Sequence, residues 1–427
     1  MDKEIRFVDL FAGIGGIRLG LEQAAKELGY EPKCVLTSEI KEYAIDVLKQ
    51  NHPDLNNAGD ITNLQSSDIP DFEILCAGFP CQAFSSAGNR YGFADTRGTL
   101  FFEIARILKE KQPKGFILEN VEGLANHDGG KTLAVILGCL KELQYKVSYA
   151  ILNSADFGVP QNRKRIYIVG TKSKEVLLKD FEKTHRSLND ILDENQPTTN
   201  TKFTQALLRN YAPEQLYGKA IKDKRGGDSN IHSWDLEIKG RVSKKEREFL
   251  NMLLKQRRKK KWAEEIGIDW MDGMPLTEKQ IQTFYQEKGL KNMLDKLVGQ
   301  GYLKLEHPKK LVKEKVNGLV KTYRVPDTTK EMGYNIVAGK LSFEFDKILD
   351  PNDVAPTLVA MDMAKLGVLD NGGIRRLSLR EGLRLFGYPE DFRMDVASDK
   401  GYDLLGNTVV VPVIKSVSLK LIKTLAQ

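Results

Sequence analysis

The sequence predicts an α/β protein whose core is a doubly wound, mostly parallel sheet, with a smaller basic module inserted into it. Three observations carry this. Short apolar runs alternate with amphipathic segments over the first 171 residues, a glycine turn follows the first run directly, and the stretch from Arg241 to Arg324 gathers the positive charge.

In chain order, Ile5–Leu10, Lys33–Thr37, Glu73–Cys76, Gly115–Leu118, Ser148–Leu152 and Arg165–Gly170 read as strands. Between them Ile17–Leu28, Tyr43–Gln50, Leu100–Lys111 and Lys131–Leu143 read as helices, several ending near Gly, Asn or Pro. Such a sheet presents its ligands at the carboxyl ends of its strands. After about Thr171 the rhythm gives way to a polar connector bearing Asn and Thr, and then to the basic region. There Ser243–Lys255, Leu276–Gln286 and Leu290–Val298 suggest three helices, and Tyr302–Leu305 is expected to pair with Val320–Tyr323 across a Lys-rich loop. That is the outline of a winged-helix unit at about 243–325; the plainer alternative is an irregular basic insertion. Beyond Asn352 the chain is apolar again, and Thr408–Leu425 reads as a strand and helix rejoining the core. The expected organisation is a core in two parts, 1–171 and 356–427, around a recognition domain at 172–355.

Composition agrees with a globular protein of two domains: 427 residues, 41% hydrophobic and 29% charged. No apolar run approaches the roughly 18 residues that suggest a membrane span, and the charged start has no signal-peptide pattern, so a cytoplasmic protein without a membrane partner is expected. Cys34, Cys76, Cys81 and Cys139 lack metal-site or disulfide spacing, so no metal is expected and a reduced compartment is. Net charge is +7, but Arg241–Arg324 alone holds 21 Lys or Arg against 11 Asp or Glu, hence 21 − 11 = +10. A basic module on a near-neutral core points to a polyanion.

The first chemical motif is F-V-D-L-F-A-G-I-G-G at Phe7–Gly16, a strand entering a glycine turn and then a helix. Gly13, Gly15 and Gly16 let a ligand approach the backbone, and the helix start offers unpaired N–H groups. Their spacing is not that of the dinucleotide fingerprint, so the turn alone fits either an adenosine cofactor or a structural bend. Glu39, after the second strand, is placed to take ribose hydroxyls, and Asp60, beside Ile61, could accept from an adenine amino group. Each acid taken singly is as readily a solvated loop charge. The second motif, A-G-F-P-C-Q at Ala77–Gln82, sets Cys81 on a proline-stiffened turn at a strand's carboxyl end, where a thiolate would be a strong nucleophile. Cys76, inside that strand, is expected to be an inert core thiol.

Together these segments resemble the cytosine-5 DNA methyltransferase family of prokaryotic type, over about Arg6–Gly170 and Pro356–Leu425. F-A-G-I-G-G resembles its cofactor loop and P-C-Q its nucleophile turn. E-N-V at Glu119–Val121 resembles its base-binding carboxylate, and Q-N-R-K-R at Gln161–Arg165 its arginine motif. Arg380-Glu381 with R-L-F-G-Y-P at Arg384–Pro389, and G-N-T-V at Gly406–Val409, resemble its last two. The resemblance implies the fold of S-adenosyl-L-methionine-dependent methyltransferases, and methyl transfer to carbon 5 of cytosine within a restriction-modification system. S-adenosyl-L-homocysteine is the implied product. Cys81 would attack carbon 6 of the base, Glu119 would hold its N3 and amino edge, and Arg163 and Arg165 would lie around the base carbonyl and a phosphate. Phe11, Ala12, Gly13, Gly15, Gly16, Glu39, Ile40, Asp60, Ile61, Pro80, Leu100 and Asn407 would form the cofactor site. Ile40 departs from the family's large aromatic, leaving Phe11 to supply one face of the adenine sandwich.

A base in a stacked duplex must be flipped out to be reached. The glycine-punctuated stretch 82–98 reads as a lid over DNA, with Gln82, Ser85, Arg90 and Arg97 as contacts; Ala87 stands where relatives carry a polar residue. Arg257, Arg258, Lys259, Lys260, Lys261, Lys309 and Lys310 are expected to track phosphates. Thr357-Leu358, in A-P-T-L-V-A, resembles a dipeptide closing the recognition region in the family. The expected partner is double-stranded DNA, bound by a monomer. A relative acting on RNA and a catalytically silent DNA-binding protein are the alternatives; the basic insertion argues against the first, and intact Cys81, Glu119 and Arg165 against the second.

Overall fold

A computed structural model describes residues 3–80, 100–223, 230–316, 319–337, 343–360 and 362–427. The fold divides into two compact units. Met1–Asp193, Pro351–Ala364 and Leu377–Gln427 form the first, and Glu194–Asp350 with Lys365–Arg376 form the second. The boundaries lie away from the expected 171 and 355. Residues beyond 171 are stitched back onto the first unit, Gly158 donating to the Thr184 carbonyl at 2.7 Å and Leu188 to that of Asp353 at 3.0 Å.

The first unit is built on β1 (Lys3–Leu10), β2 (Tyr30–Ser38), β3 (Ile74–Gly78), β4 (Gly115–Val121), β5 (Lys146–Asn153) and β6 (Lys164–Thr171), in the order β2-β1-β3-β4-β6-β5. All pairings are parallel except those of β6, which runs against both β4 and β5. Helices α1 (Gly16–Glu27), α2 (Glu42–Asn51), α3 (Leu100–Lys111) and α4 (Lys131–Glu142) connect them. Helices on both faces explain why the central strands read as unbroken apolar runs: Phe7, Val8 and Leu10 in β1 and Phe116, Ile117 and Leu118 in β4 are wholly buried. The reversed β6 has a further consequence. Its amino end lies at the same sheet edge as the carboxyl ends of β1 to β4, so Arg165 pairs across from Val121.

The second unit begins with α5 (Lys202–Asn210) and α6 (Pro213–Leu216), followed by α7 (Lys244–Gln256), α8 (Lys261–Ile266), α9 (Glu278–Gln282) and α10 (Leu290–Gly299). Then come β7 (Leu303–Glu306), β8 (Lys309–Val316), β9 (Leu319–Pro326) and β10 (Gly333–Ile336). Strand β7 pairs antiparallel with β10, and Leu276 bridges to Tyr334, so two helices, a one-residue bridge, two more helices and a strand–hairpin–strand follow in turn, a winged-helix-like order with α8 added. The expected pairing of 302–305 with 320–323 does not form. Buried Tyr334 and Ile336 give β7 an apolar partner that the basic strand lacks, and the Lys-rich stretch is itself β8, paired with β9 in a hairpin. The expected helix at 276–286 shrinks to α9 because Leu276 belongs to that bridge and Thr277 caps the helix, its hydroxyl accepting from the Gln280 amide. Trp234, Phe249, Leu253, Leu294 and Tyr302 are among the core residues. A second core gathers around Phe345 and Ile374 beside β11 (Lys347–Ile348), β12 (Leu366–Asp370) and β13 (Gly373–Arg376), a three-stranded sheet.

The chain returns to the first unit through α11 (Leu379–Leu385), α12 (Ser398–Asn407) and α13 (Val411–Leu425). Residues 408–410 link two helices rather than forming the expected strand. Against the expectation of no such run, Ser398–Leu425 is long and apolar enough to cross a membrane by length and composition, but 67% of its most apolar window is buried. That apolarity serves packing. A Cβ on Gly20 of α1 would stand 2.6 Å from the Ile414 side chain of α13, so only glycine permits this approach.

Candidate active site

The carboxyl edge of the sheet opens into a cleft lined by Phe11, Gly13, Glu39, Lys41, Pro80, Glu119, Arg163, Arg165 and Asn407, among others. Strand order decides the arrangement. Neighbouring strands β2, β1, β3, β4 and β6 deliver, side by side, Glu39, the glycine turn, Pro80, Glu119 and Arg165. Cys81, with Gln82, Ser85, Arg90 and Arg97, lies outside the described residues; Pro80, its neighbour, stands in the cleft.

The turn after β1 is sharply bent: Phe11, Gly13 and Gly15 have φ of 56°, 57° and 82°, and Gly15 caps α1. Gly16 is required by packing, since a Cβ there would meet the Tyr388 hydroxyl at 2.6 Å. That hydroxyl bonds Thr408 at 2.7 Å, which seats the returning segment beneath the turn. Glu39 holds the turn from the other side: one oxygen accepts from the Gly13 amide at 2.8 Å, the other from Ile40 and Lys41 at 2.9 and 2.8 Å. Ala12 is buried, and its amide donates to Ser38. Bent backbone at a helix start, a fixed carboxylate and the Phe11 ring fit an adenosine-type ligand.

Of the twelve expected cofactor residues, Phe11, Gly13, Glu39, Pro80 and Asn407 are among the described lining of the cleft; Ala12, Gly15 and Gly16 belong to the turn without lining it, and four more lie elsewhere. Ile61 is buried in the core, Leu100 packs against the same core, and Ile40 is 69% exposed. The Asp60 carboxylate caps a short turn, accepting from the Thr62 amide and hydroxyl at 2.9 and 2.8 Å, bonds that lower its pKa. Two residues not anticipated from sequence belong here. Asp403 of α12 accepts from Lys41 at 2.7 Å and Tyr43 at 2.6 Å and also holds Asn407, at 3.1 Å. Asn120, buried between Glu119 and Val121 in sequence, donates to the Phe79 carbonyl at 2.9 Å and so fixes the backbone just after β3. Neither role shows in the sequence, because Lys41 and Tyr43 lie 362 and 360 residues from Asp403 and Phe79 lies 41 from Asn120.

Glu119 and Arg165 form one wall of the cleft, with Arg165 Nε 3.3 Å from Glu119 Oε1 and both side chains nearly buried. Burial raises the Glu119 pKa, and Arg165 and Arg163 oppose that shift. A carboxyl that readily holds a proton beside a fixed guanidinium suits the edge of a pyrimidine: the acid to a ring nitrogen, the arginine to a carbonyl. Cys76 is wholly buried, and burial pushes its thiol well above the ordinary range, as expected of an inert thiol.

Arg163, expected at a base carbonyl or phosphate, lines the cleft, with its terminal nitrogens bonded to backbone carbonyls. It is buried and donates to the Leu358, Gly406 and Thr408 carbonyls at 2.7, 3.1 and 2.9 Å, with its guanidinium over the Phe386 ring. It is a positioning residue. Gln161 does similar work, donating to Leu385 and accepting from Leu358, while exposed Thr357 donates to the Asn162 carbonyl at 2.6 Å. Arg163→Ala should lower unfolding free energy by about 3 kcal/mol or more, because three carbonyls lose their donor. A urea midpoint within error of the parent would contradict this role.

Beneath the turn, Asp9 is fully buried, and Arg18 is engaged by Glu22 at 2.7 Å. Burial raises the Asp9 pKa from 3.8 to about 7, against the pull of Arg18. The folded chain therefore keeps a proton that the unfolded chain loses. Stability falls by about 1.4 kcal/mol per pH unit between the unfolded and folded pKa values and stays lowered above about pH 7. Asp9→Asn should flatten that dependence in denaturant unfolding at about pH 5 and pH 8; an unchanged slope would assign the titration to another group.

The basic residues of the second unit divide. Arg257 is buried, caps α7 and bonds Asn335, so it does not track a phosphate as expected; its place at a helix end inside the core is the reason. Arg258 pairs with Asp272 at 2.8 Å and Lys310 with Asp327 at 3.5 Å. Lys259, Lys260 and Lys261 are exposed, and Lys309 is half-buried.

Residues 5–423 match the family model described as C-5 cytosine-specific DNA methylase. The chain is 59% identical to the Type II methyltransferase M.NlaIV of Neisseria lactamica, over 99% of this chain and 100% of that protein. It is 57% identical to M.NgoBV of Neisseria gonorrhoeae, over the same shares of the two chains. Among solved structures, S. pombe Dnmt2 methyltransferase matches with a TM-score of 0.53 at 17% identity, over 99% of this chain and 98% of that one, a likeness of fold.

Proposed function

The chain belongs to the C-5 cytosine-specific DNA methylase family, and on that premise we propose that it methylates carbon 5 of a flipped-out cytosine, at a specific DNA site, through a covalent Cys81 adduct. It is a DNA (cytosine-5-)-methyltransferase of the Type II restriction-modification kind, and it acts on DNA in the cytoplasm. The observation that carries the mechanism is the Glu119–Arg165 pair at the carboxyl edge, in a cleft that is also lined by Pro80, the residue before Cys81 in sequence.

Carbon 5 of cytosine is a weak nucleophile, so electron density must first enter the ring. The Cys81 thiolate adds to carbon 6. Glu119 donates its proton to N3 and accepts from the amino group, so the ring does not carry the negative charge, and Arg165 donates to the carbonyl oxygen. The Phe11–Gly16 turn, Glu39 and Asn407 would hold S-adenosyl-L-methionine, which would supply an electrophilic methyl group and leave as S-adenosyl-L-homocysteine. Carbon 5 takes that methyl; loss of its proton to a base then expels the Cys81 thiolate, and N3 returns its proton to Glu119. Arg163 and Asn120 keep the two catalytic segments in register.

Bisulfite sequencing of DNA from cells expressing the chain should show cytosines protected at one short motif, and none with Cys81→Ala. Unprotected DNA despite folded, expressed protein would contradict the function.

A further inference from the structure

In helix-turn-helix modules the groove-facing helix commonly contacts the DNA. Here α10 is poorly charged for that role. Lys291 is paired with Asp295 at 2.6 Å and Lys296 with Glu246 at 2.7 Å. The hairpin β8–β9 differs: residues 309–326 hold six Lys or Arg (309, 310, 313, 315, 321 and 324) against the single acid Glu314. Strand alternation sorts them. Lys309, Leu311 and Lys313 share one face with their partners Pro326, Arg324 and Thr322, a row with no carboxylate. Glu314 falls on the other face, where it accepts from the Tyr323 hydroxyl at 2.8 Å. Lys309 and Lys313 have no carboxylate partner among the described residues. The root of the hairpin is fixed: Arg324 donates to the Trp270 carbonyl at 2.7 Å, and Trp270 donates to that of Arg258 at 3.1 Å. This draws the exposed Lys259–Lys260 stretch toward the hairpin and leaves Trp270 39% exposed beside it.

We propose that the β8–β9 hairpin is a phosphate-gripping wing, which holds duplex DNA by its backbone and supplies affinity without choosing sequence. The inference rests on the DNA reading above. Lysines on a fixed, acid-free row neutralise phosphates and release counterions, whereas reading bases needs planar or amide groups, which this row lacks outside the clamped Arg324.

The test uses the full-length protein with two duplexes of equal length, one containing the methylated motif and one without it, titrated across about 50 to 200 mM salt. Lys309→Gln with Lys313→Gln should make the log–log salt slope shallower by about 2, so that the parent loses about tenfold more affinity than the variant over that range. Both duplexes should respond alike, and the methylated sequence should not change. Lys309→Arg with Lys313→Arg should keep the parent slope, and retained cofactor binding shows that each variant folds. An unchanged slope in the glutamine variant would overturn the proposal, as would a loss confined to the motif-bearing duplex. A parent that binds duplex with a steep salt slope yet methylates nothing would instead refute the catalytic reading and leave the wing standing.

Discussion

Cys81→Ala should abolish methyl transfer, by on the order of 10⁴-fold or more, while S-adenosyl-L-methionine affinity stays within about twofold. Without the thiolate nothing pushes electron density into the ring, and no other described cysteine can substitute. Cys76 is wholly buried, and the Cys34 and Cys139 thiols are pushed up by burial to about 12 and about 11. Cofactor binding survives because the Phe11–Gly16 turn is held by Glu39 and packed against Tyr388, whose hydroxyl bonds Thr408. Radiolabel transfer to duplex DNA, with calorimetric titration of the cofactor, checks both halves. Turnover by the variant within tenfold of the parent would end the mechanism.

Glu119→Gln should slow transfer by about 10²–10⁴-fold with a smaller effect on DNA affinity. Glutamine can still bond the base edge but has no acidic proton to give N3, so the loss should fall on kcat. The raised Glu119 pKa adds a sign: the protonated form persists to higher pH than an ordinary glutamate allows, and activity that depends on it declines as pH rises through the folded value. The glutamine variant should lose that limb of the pH–rate profile. A loss below tenfold, or a profile keeping the limb, would remove Glu119 from the proton's path.

What the sequence made legible follows from where the constraints are local. The six strands and four helices of the first part appear within a few residues of their expected ends, because burial on both sheet faces writes the central strands as apolar runs. Glu119 and Arg165 were legible as motifs, but their meeting depends on β6 running antiparallel, which no periodicity reveals. Arg163 and Arg257 show the opposite limit. Each sits in a basic run that reads as a phosphate contact, and each is buried on distant polar groups, 195 residues away for Arg163 and Leu358 and 78 for Arg257 and Asn335. The hairpin was misread for a related reason: Lys density in β8 hides the alternation that marks a strand, so 309–316 resembles a loop until β9 is laid beside it.

The central claim is the covalent bond between Cys81 and the base, and it can be caught directly. DNA carrying 5-fluorocytosine at the target should trap it, since after methyl transfer carbon 5 has fluorine where a proton must leave, and the thiol cannot be expelled. With S-adenosyl-L-methionine present, denaturing electrophoresis should show a protein–DNA species, and mass spectrometry should place the linkage on Cys81. No such species on a duplex that the enzyme methylates when it carries ordinary cytosine, or a linkage at any other residue, would contradict the account.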